Sequence, residues 1–210
     1  MIDHMRTAMR ACDVRCRSRQ AAVIARSIAR LGFAGLLVAA LALPLAAQAQ
    51  QWRISSNNDG IRLESRTLPG ERFDQLRASA QVPVAPQAVA DFLVGDYLDQ
   101  ENKSIRRTFV KRTRKLTVWS DVLTAPAIDP RCYSMRFERS EPAADGQITV
   151  RFSTGDYIGS RPSGCITLRA HGEWSMRPVG NGTLLTYTSL TDTGGGTPAI
   201  LASAACLRRR

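Results

Sequence analysis

TDTGGGTPAILASAACLRRR, residues 191–210, closes the chain, and its reading decides which fold to look for. Three consecutive glycines, Gly194, Gly195 and Gly196, follow a strand-like run and precede Pro198 and an apolar stretch. A phosphate loop would have spaced glycines after a buried parallel strand, usually a following Lys, and free N–H groups at a helix N-terminus. Here the upstream run TLLTYTSL (183–190) is amphipathic, no Lys follows, and Asp192 would repel an anion. Pro198 also removes a donor from the first turn. The segment therefore reads as a hinge, Gly194 to Pro198, leading into a capping helix.

Working back from the hinge, the chain reads as strands joined by hairpin turns. Asn181-Gly182 turns into 183–190, and Cys165 to Met176 puts Ile166, Leu168, Ala170, Gly172 and Trp174 on one side. Asp145-Gly146 turns into Gln147–Ser153, and Arg131–Arg139 puts Tyr133, Met135 and Phe137 on one face. Ser104–Thr113 and Leu116–Leu123 read as a long hairpin, and Gly60–Arg66 with Phe73–Val82 as a shorter one. Between the hairpins lies one short helix, with Pro86 near its start and Val89, Phe92 and Leu93 on one side. The expected order is two strands, a short helix, six antiparallel strands and a C-terminal helix. Strands joined in this way curl, and a helix across the inner face closes a core or a cavity. A doubly wound parallel sheet is excluded by the hairpin connections.

The first 50 residues differ from the rest, with seven arginines, two aspartates and an uncharged run from Leu31 to Ala47. A basic leader, an apolar core broken by Pro44 and the small-residue motif Ala47-Gln48-Ala49 predict a signal peptide over 1–49. Because about 17 apolar residues can just span a bilayer, an uncleaved inner-membrane anchor is the alternative. Removing those seven arginines and two aspartates from 29 basic and 18 acidic residues lowers the net charge from +11 to +6 over 50–210. That span holds one domain, and export puts it in the periplasm.

Candidate chemistry is sparse. His171 is the single histidine after the leader and lies on the strand face opposite Trp174, which suits a solvated side chain. No HxxH, CxxC or GxSxG pattern supplies a metal set or an activated serine, so no metal, cofactor or catalytic residue is expected. The hairpin KSIRRTFVKRTRK (103–115) carries Lys103, Arg106, Arg107, Lys111, Arg112, Arg114 and Lys115 without an acid. In an exported chain it would dock on anionic lipid headgroups or stand as a solvated hairpin, and one aromatic is too few for a nucleic-acid platform. Of the three cysteines after the leader, Cys132 and Cys165 begin two strands. If those strands were next-nearest neighbours in a flat sheet they would stand about 9–10 Å apart, too far for a bond. The irregular 159–164 loop offers a route closer, so pairing is left open.

Asp129 to the C-terminus resembles the second half of a START lipid-transfer domain, in the helix-grip superfamily that includes Bet v 1 and polyketide cyclases. The pieces occur in order: Ala125-Pro126 and Asp129-Pro130-Arg131, then Asp145-Gly146-Gln147-Ile148, then Ser163-Gly164-Cys165-Ile166 with Gly172-Glu173-Trp174. Asn181-Gly182-Thr183 leads to Tyr187, and Asp192-Thr193-Gly194-Gly195 with Thr197-Pro198 precedes the closing helix. Trp52, Gly60-Ile61 and Arg66 fit the family opening more loosely. The cysteines at 132 and 165 both depart from the family pattern, which favours their pairing. The closing helix, from about Pro198 to Arg210, would be about half the family length.

The resemblance implies an α+β helix-grip fold: a curved antiparallel sheet around a C-terminal helix, enclosing an apolar cavity over 50–210. It implies a monomeric, non-enzymatic protein that binds and transfers a lipid or other hydrophobic small molecule. Tyr133, Met135, Phe137, Ile166, Leu168, Trp174, Ile200 and Leu201 are the expected lining, against ordinary core packing at each. The alternatives are a cyclase or hydrolase using the same cavity, which needs inward polar groups, and a membrane-docking interaction protein using the basic hairpin. The inward faces read as apolar, which speaks against the enzyme.

Overall fold

The computed structural model describes residues 51–126 and 128–195. The leader and Gly196, Pro198, Ile200 and Leu201 lie outside the described residues. Ten strands and one helix follow in order: β1 (Arg53–Asn58), β2 (Ile61–Arg66), β3 (Gln75–Val82), α1 (Pro86–Val94), β4 (Ile105–Arg112), β5 (Leu116–Ala125) and β6 (Ile128–Arg139). Then come β7 (Ile148–Gly155), β8 (Ile166–Thr167), β9 (Arg169–Val179) and β10 (Gly182–Asp192). They form one curved sheet in the order β1-β2-β3-β10-β9-β7-β6-β5-β4, with β8 on β6. Every pairing is antiparallel except β6 with β8.

The chain passes from β3 in mid-sheet to the far edge at β4 by way of α1, which therefore crosses one face, here called the inner face. Pro86 opens α1 where a missing N–H costs nothing, and Val89, Ala90 and Leu93 are buried along one side. They join one buried cluster with inward residues of the strands, among them Phe137, Ile148, Val150, Trp174 and Met176. The buried Arg139 side chain donates to Asp91 at 2.6 Å and fastens the helix to the end of β6. Burial opposes the Asp91 charge, but hydrogen bonds from Arg139 and Gln87 and the charges of Arg139 and Arg114 together outweigh it and hold the carboxyl below its ordinary range.

Two elements depart from the expected order. β1 adds a third strand before α1, joined to β2 by a turn at Asp59 (φ 53°) and Gly60 (φ 73°). Its sequence RISSNN is exposed at all but one position, so the apolar–polar alternation that marks a half-buried strand is missing from this edge. The second departure is β8. β7 stops at Gly155, and 156–165 crosses the outer face of β5 and β6. There Ser120 Oγ donates to the Ile158 carbonyl at 2.9 Å, and the Ile158 N–H donates to Ser134 Oγ at 2.8 Å. The chain then returns to β6 where β7 has left it vacant, Ile166 beside Arg131 and Thr167 beside Cys132. Cys132 and Cys165 are bonded across this junction with Cα atoms 5.8 Å apart. The 9–10 Å separation expected of next-nearest strands is thus corrected by direct adjacency.

Candidate functional site

The inner face carries a continuous chain of aromatic rings. Phe109 meets Trp119 at 6.3 Å, Trp119 meets Phe137 at 4.8 Å, and Phe137 meets Phe152 at 5.9 Å. Phe152 stacks on Tyr187 at 5.7 Å, Tyr187 meets Trp174 at 4.3 Å, and Tyr97, beyond α1, closes on Trp174 at 6.4 Å. Gly172 makes the Phe152 position available: a Cβ there would stand 2.7 Å from the Phe152 ring and 1.9 Å from the Thr188 carbonyl oxygen. The crevice between Ile61, Ala78, Trp174, Leu185 and Tyr187 has a volume of about 10 Å³, room for about one water molecule.

Farther along the same strands, toward Asp192, a separate cluster forms from Tyr133, Leu168 and Ala170, with the half-buried Met135 against it. Met135 also touches the larger cluster. Between the two clusters sits a polar group that the sequence reading missed. Asp121, 1% exposed, accepts from Arg107 Nε at 2.9 Å and Nη2 at 2.8 Å, from Trp119 Nε1 at 2.9 Å and from the Tyr133 hydroxyl at 3.1 Å. Arg107 also donates to the Leu98 carbonyl at 3.1 Å and lies 4.7 Å from the Trp119 ring centre. Burial opposes the Arg107 charge, but the hydrogen bonds to Asp121, its negative charge and smaller contributions from Tyr133 and Tyr97 together outweigh it and raise the Arg107 pKa above the ordinary value. Burial pushes the Tyr133 hydroxyl well above the tyrosine range, and the Asp121 charge adds to it. A buried ion pair is tolerated when further hydrogen bonds satisfy its remaining atoms, which is the case here.

The expected lining residues divide between the two ends. Phe137 and Trp174 belong to the cluster beneath α1, whereas Tyr133, Leu168 and Met135 belong to the end near Asp192. Ile166, half-buried in β8, stands beside Gly194 and Gly195. Ile200, Leu201, Gly196 and Pro198 lie outside the described residues. Arg107, expected on a docking surface, instead faces inward with Asp121. Residue alternation carried the signal: Arg107 shares its strand face with Ile105, and Asp121 interrupts an apolar run beside Trp119.

Close packing, rather than freedom, accounts for the first two hinge glycines. Gly194 and Gly195 have φ of 66° and 63°, and a Cβ on Gly194 would stand 2.4 Å from the Thr167 carbonyl oxygen. The Gly194 N–H donates to Asp192 Oδ1 at 2.8 Å, Arg131 Nε donates to the Thr193 carbonyl at 2.6 Å, and Arg72 Nη1 to the Gly195 carbonyl at 3.2 Å. Gly194 and Gly195 thus sit against β8, next to the disulfide.

The outer face is polar. A groove of about 700 Å³ runs across it, lined among others by Arg66, Arg77, Arg136, Arg151, His171 and Glu173. Its cations are largely engaged: Arg77 with Glu64 at 2.7 Å, Arg136 with Glu138, and Arg151 with Glu173 at 3.7 Å. Trp52 lies 4.5 and 4.2 Å from the Arg66 and Arg77 guanidinium carbons. His171 is exposed here, as its place opposite Trp174 implied.

No protein-family model matches the sequence, and no curated protein matches it. Solved structures do. A STAR-related lipid transfer protein from Xanthomonas axonopodis is 24% identical, over 74% of this chain and 90% of that one, with a TM-score of 0.63. The lipid transfer and protein localization domain of human StarD13 (DLC2) is 15% identical, over 83% and 95%, with a TM-score of 0.62. Human StAR-related lipid transfer protein 5 is 18% identical, over 80% and 84%, at 0.58. The fold is that of a START-like domain, a curved antiparallel sheet gripping a helix.

Proposed function

On the premise of a START-like fold, we propose that the chain binds one lipid or other hydrophobic small molecule on the inner face and carries it, without catalysing a reaction. The ligand would lie at the Asp192 end, against Tyr133, Met135, Leu168 and Ala170. The carrying observation is the contrast within one face: an apolar cluster separate from the α1 core, bordered on one side by the Arg107–Asp121 pair. Burial of an apolar ligand there supplies about 25 cal/mol per Å². Arg107 and Asp121 at the border would favour a ligand with one polar end turned toward them.

A binding role suits this group better than an enzymatic one. Asp121 is committed to four hydrogen bonds, and burial holds Tyr133 protonated, which leaves neither free for a substrate. The proposal includes export to the periplasm as a monomer, released after Ala49 or held by an uncleaved Leu31–Ala47 segment. Native mass spectrometry of the protein isolated from an exporting host tests the reading. One lipid mass per chain is expected; an empty chain that also takes up no fluorescent phospholipid or fatty acid would refute it.

A further inference from the structure

Among the described residues β4 is the last strand of the sheet, and one side of its backbone has no strand partner. Phe109 pairs with Trp119 and Lys111 with Val118, which leaves Val110 between them opposite nothing. This bulge leaves Val110 52% exposed beside Phe109 at 37%. The basic residues around it are not equivalent. Arg107 is committed to Asp121, Arg112 to Asp99 at 2.6 Å, Arg114 to Asp91 at 3.7 Å and Lys115 to Glu141 at 2.7 Å. Lys103, Arg106 and Lys111 are exposed, and among the described residues none has a carboxylate within ion-pair distance. Arg106 and Lys111 project to the outer side, since their neighbours Arg107 and Arg112 turn toward Asp121 and the Phe109 ring.

We propose that the β4 edge docks on a bilayer of anionic phospholipid. Val110 and the open side of Phe109 enter the interface, while Lys103, Arg106 and Lys111 meet the headgroups. This rests on the lipid-carrying reading above, because it supplies the surface from which a ligand would be taken. Edge lysines also protect a sheet against strand pairing, but that role does not call for an outward valine at their centre. Three uncompensated cations flanking two exposed apolar residues match an anionic interface in both charge and hydrophobicity.

The experiment is co-sedimentation of the exported protein with vesicles of equimolar phosphatidylglycerol and phosphatidylcholine, and with phosphatidylcholine alone. Binding should depend on phosphatidylglycerol, weaken with added salt, and fall about 10²-fold in a Lys103→Gln, Arg106→Gln, Lys111→Gln variant. Val110→Ser, at an exposed bulge, should weaken binding about 5-fold. Removing one ion pair whole, by Lys115→Gln with Glu141→Gln, should leave binding unchanged. Equal binding of wild type and triple variant overturns the proposal, as does a triple variant that self-associates while binding vesicles normally. The two readings fail separately: a chain that holds lipid but ignores vesicles contradicts docking alone, whereas one that docks but never holds lipid supports docking and contradicts the ligand site.

Discussion

The two ends of the inner face are made from the same strands and are packed differently. On β6, Phe137 faces α1 and Tyr133 faces the Asp192 end; on β9, Trp174 and Met176 stand opposite Ala170 in the same way. Beneath α1 the packing is closed, with Met176, Val150 and Leu93 fully buried and the remaining crevice too small for more than a water. Toward Asp192 the face is a smaller cluster, with β8, the disulfide and the seated glycines around it. Asp121 marks the border, since it holds Trp119 of one end and Tyr133 of the other. Alternation of side chains along a strand makes an apolar face; only what crosses that face decides whether it becomes core or site.

The most severe way to break the comparison is at its border. Asp121→Ala leaves the half-buried Arg107 and the buried Trp119 and Tyr133 donors without their acceptor and should cost about 3–5 kcal/mol in chemical denaturation. A loss under about 1 kcal/mol would mean that the border is not structural. Next, Leu93→Ala empties a fully buried position in α1 and should cost about 2–5 kcal/mol. Lipid uptake by the folded fraction should be unchanged, and a selective loss of uptake would show the border to be misdrawn.

Replacing Cys132 and Cys165 together by Ser should cost about 2–4 kcal/mol. Amide hydrogen exchange should rise at 156–168 and 192–195 and stay near wild type in α1. Exchange that rises equally everywhere would remove the distinction between the ends. The smallest effect is an internal control, because Glu64 lies on the outer face. Hydrogen bonding from Arg77 is the largest influence on its carboxyl, and with Arg62 it holds the pKa below the ordinary 4.5. Its stabilising contribution is complete above that ordinary value and is lost as pH falls through the lowered folded one. The melting temperature of Glu64→Gln should therefore decline less steeply below about pH 4.5 than that of wild type, with lipid uptake unaltered.

Most of the strand framework was legible because the strands have one buried face, so alternation marks them. β1 was not, since an exposed edge strand has no apolar face to announce it. The disulfide was undecidable from strand order, because it depends on β7 ending at Gly155 and leaving room on β6. At the site, Tyr133, Met135 and Leu168 could be read as inward, but which inward residues α1 covers depends on where a nine-residue helix lands. Arg107 was hidden by its neighbours. Set among six other basic residues it looked like part of a charged surface, and only its register with Asp121 across the hairpin separates it.

The central claim is that a lipid lies at the Asp192 end and nowhere else on the sheet. Photolabelling with a diazirine-bearing phospholipid, followed by peptide mapping, tests it most directly. Adducts are expected on Met135, Leu168 and Ala170, reduced by competing unlabelled lipid. Adducts in α1 or in the outer groove at Arg136 and Arg151, or none that compete, would contradict it.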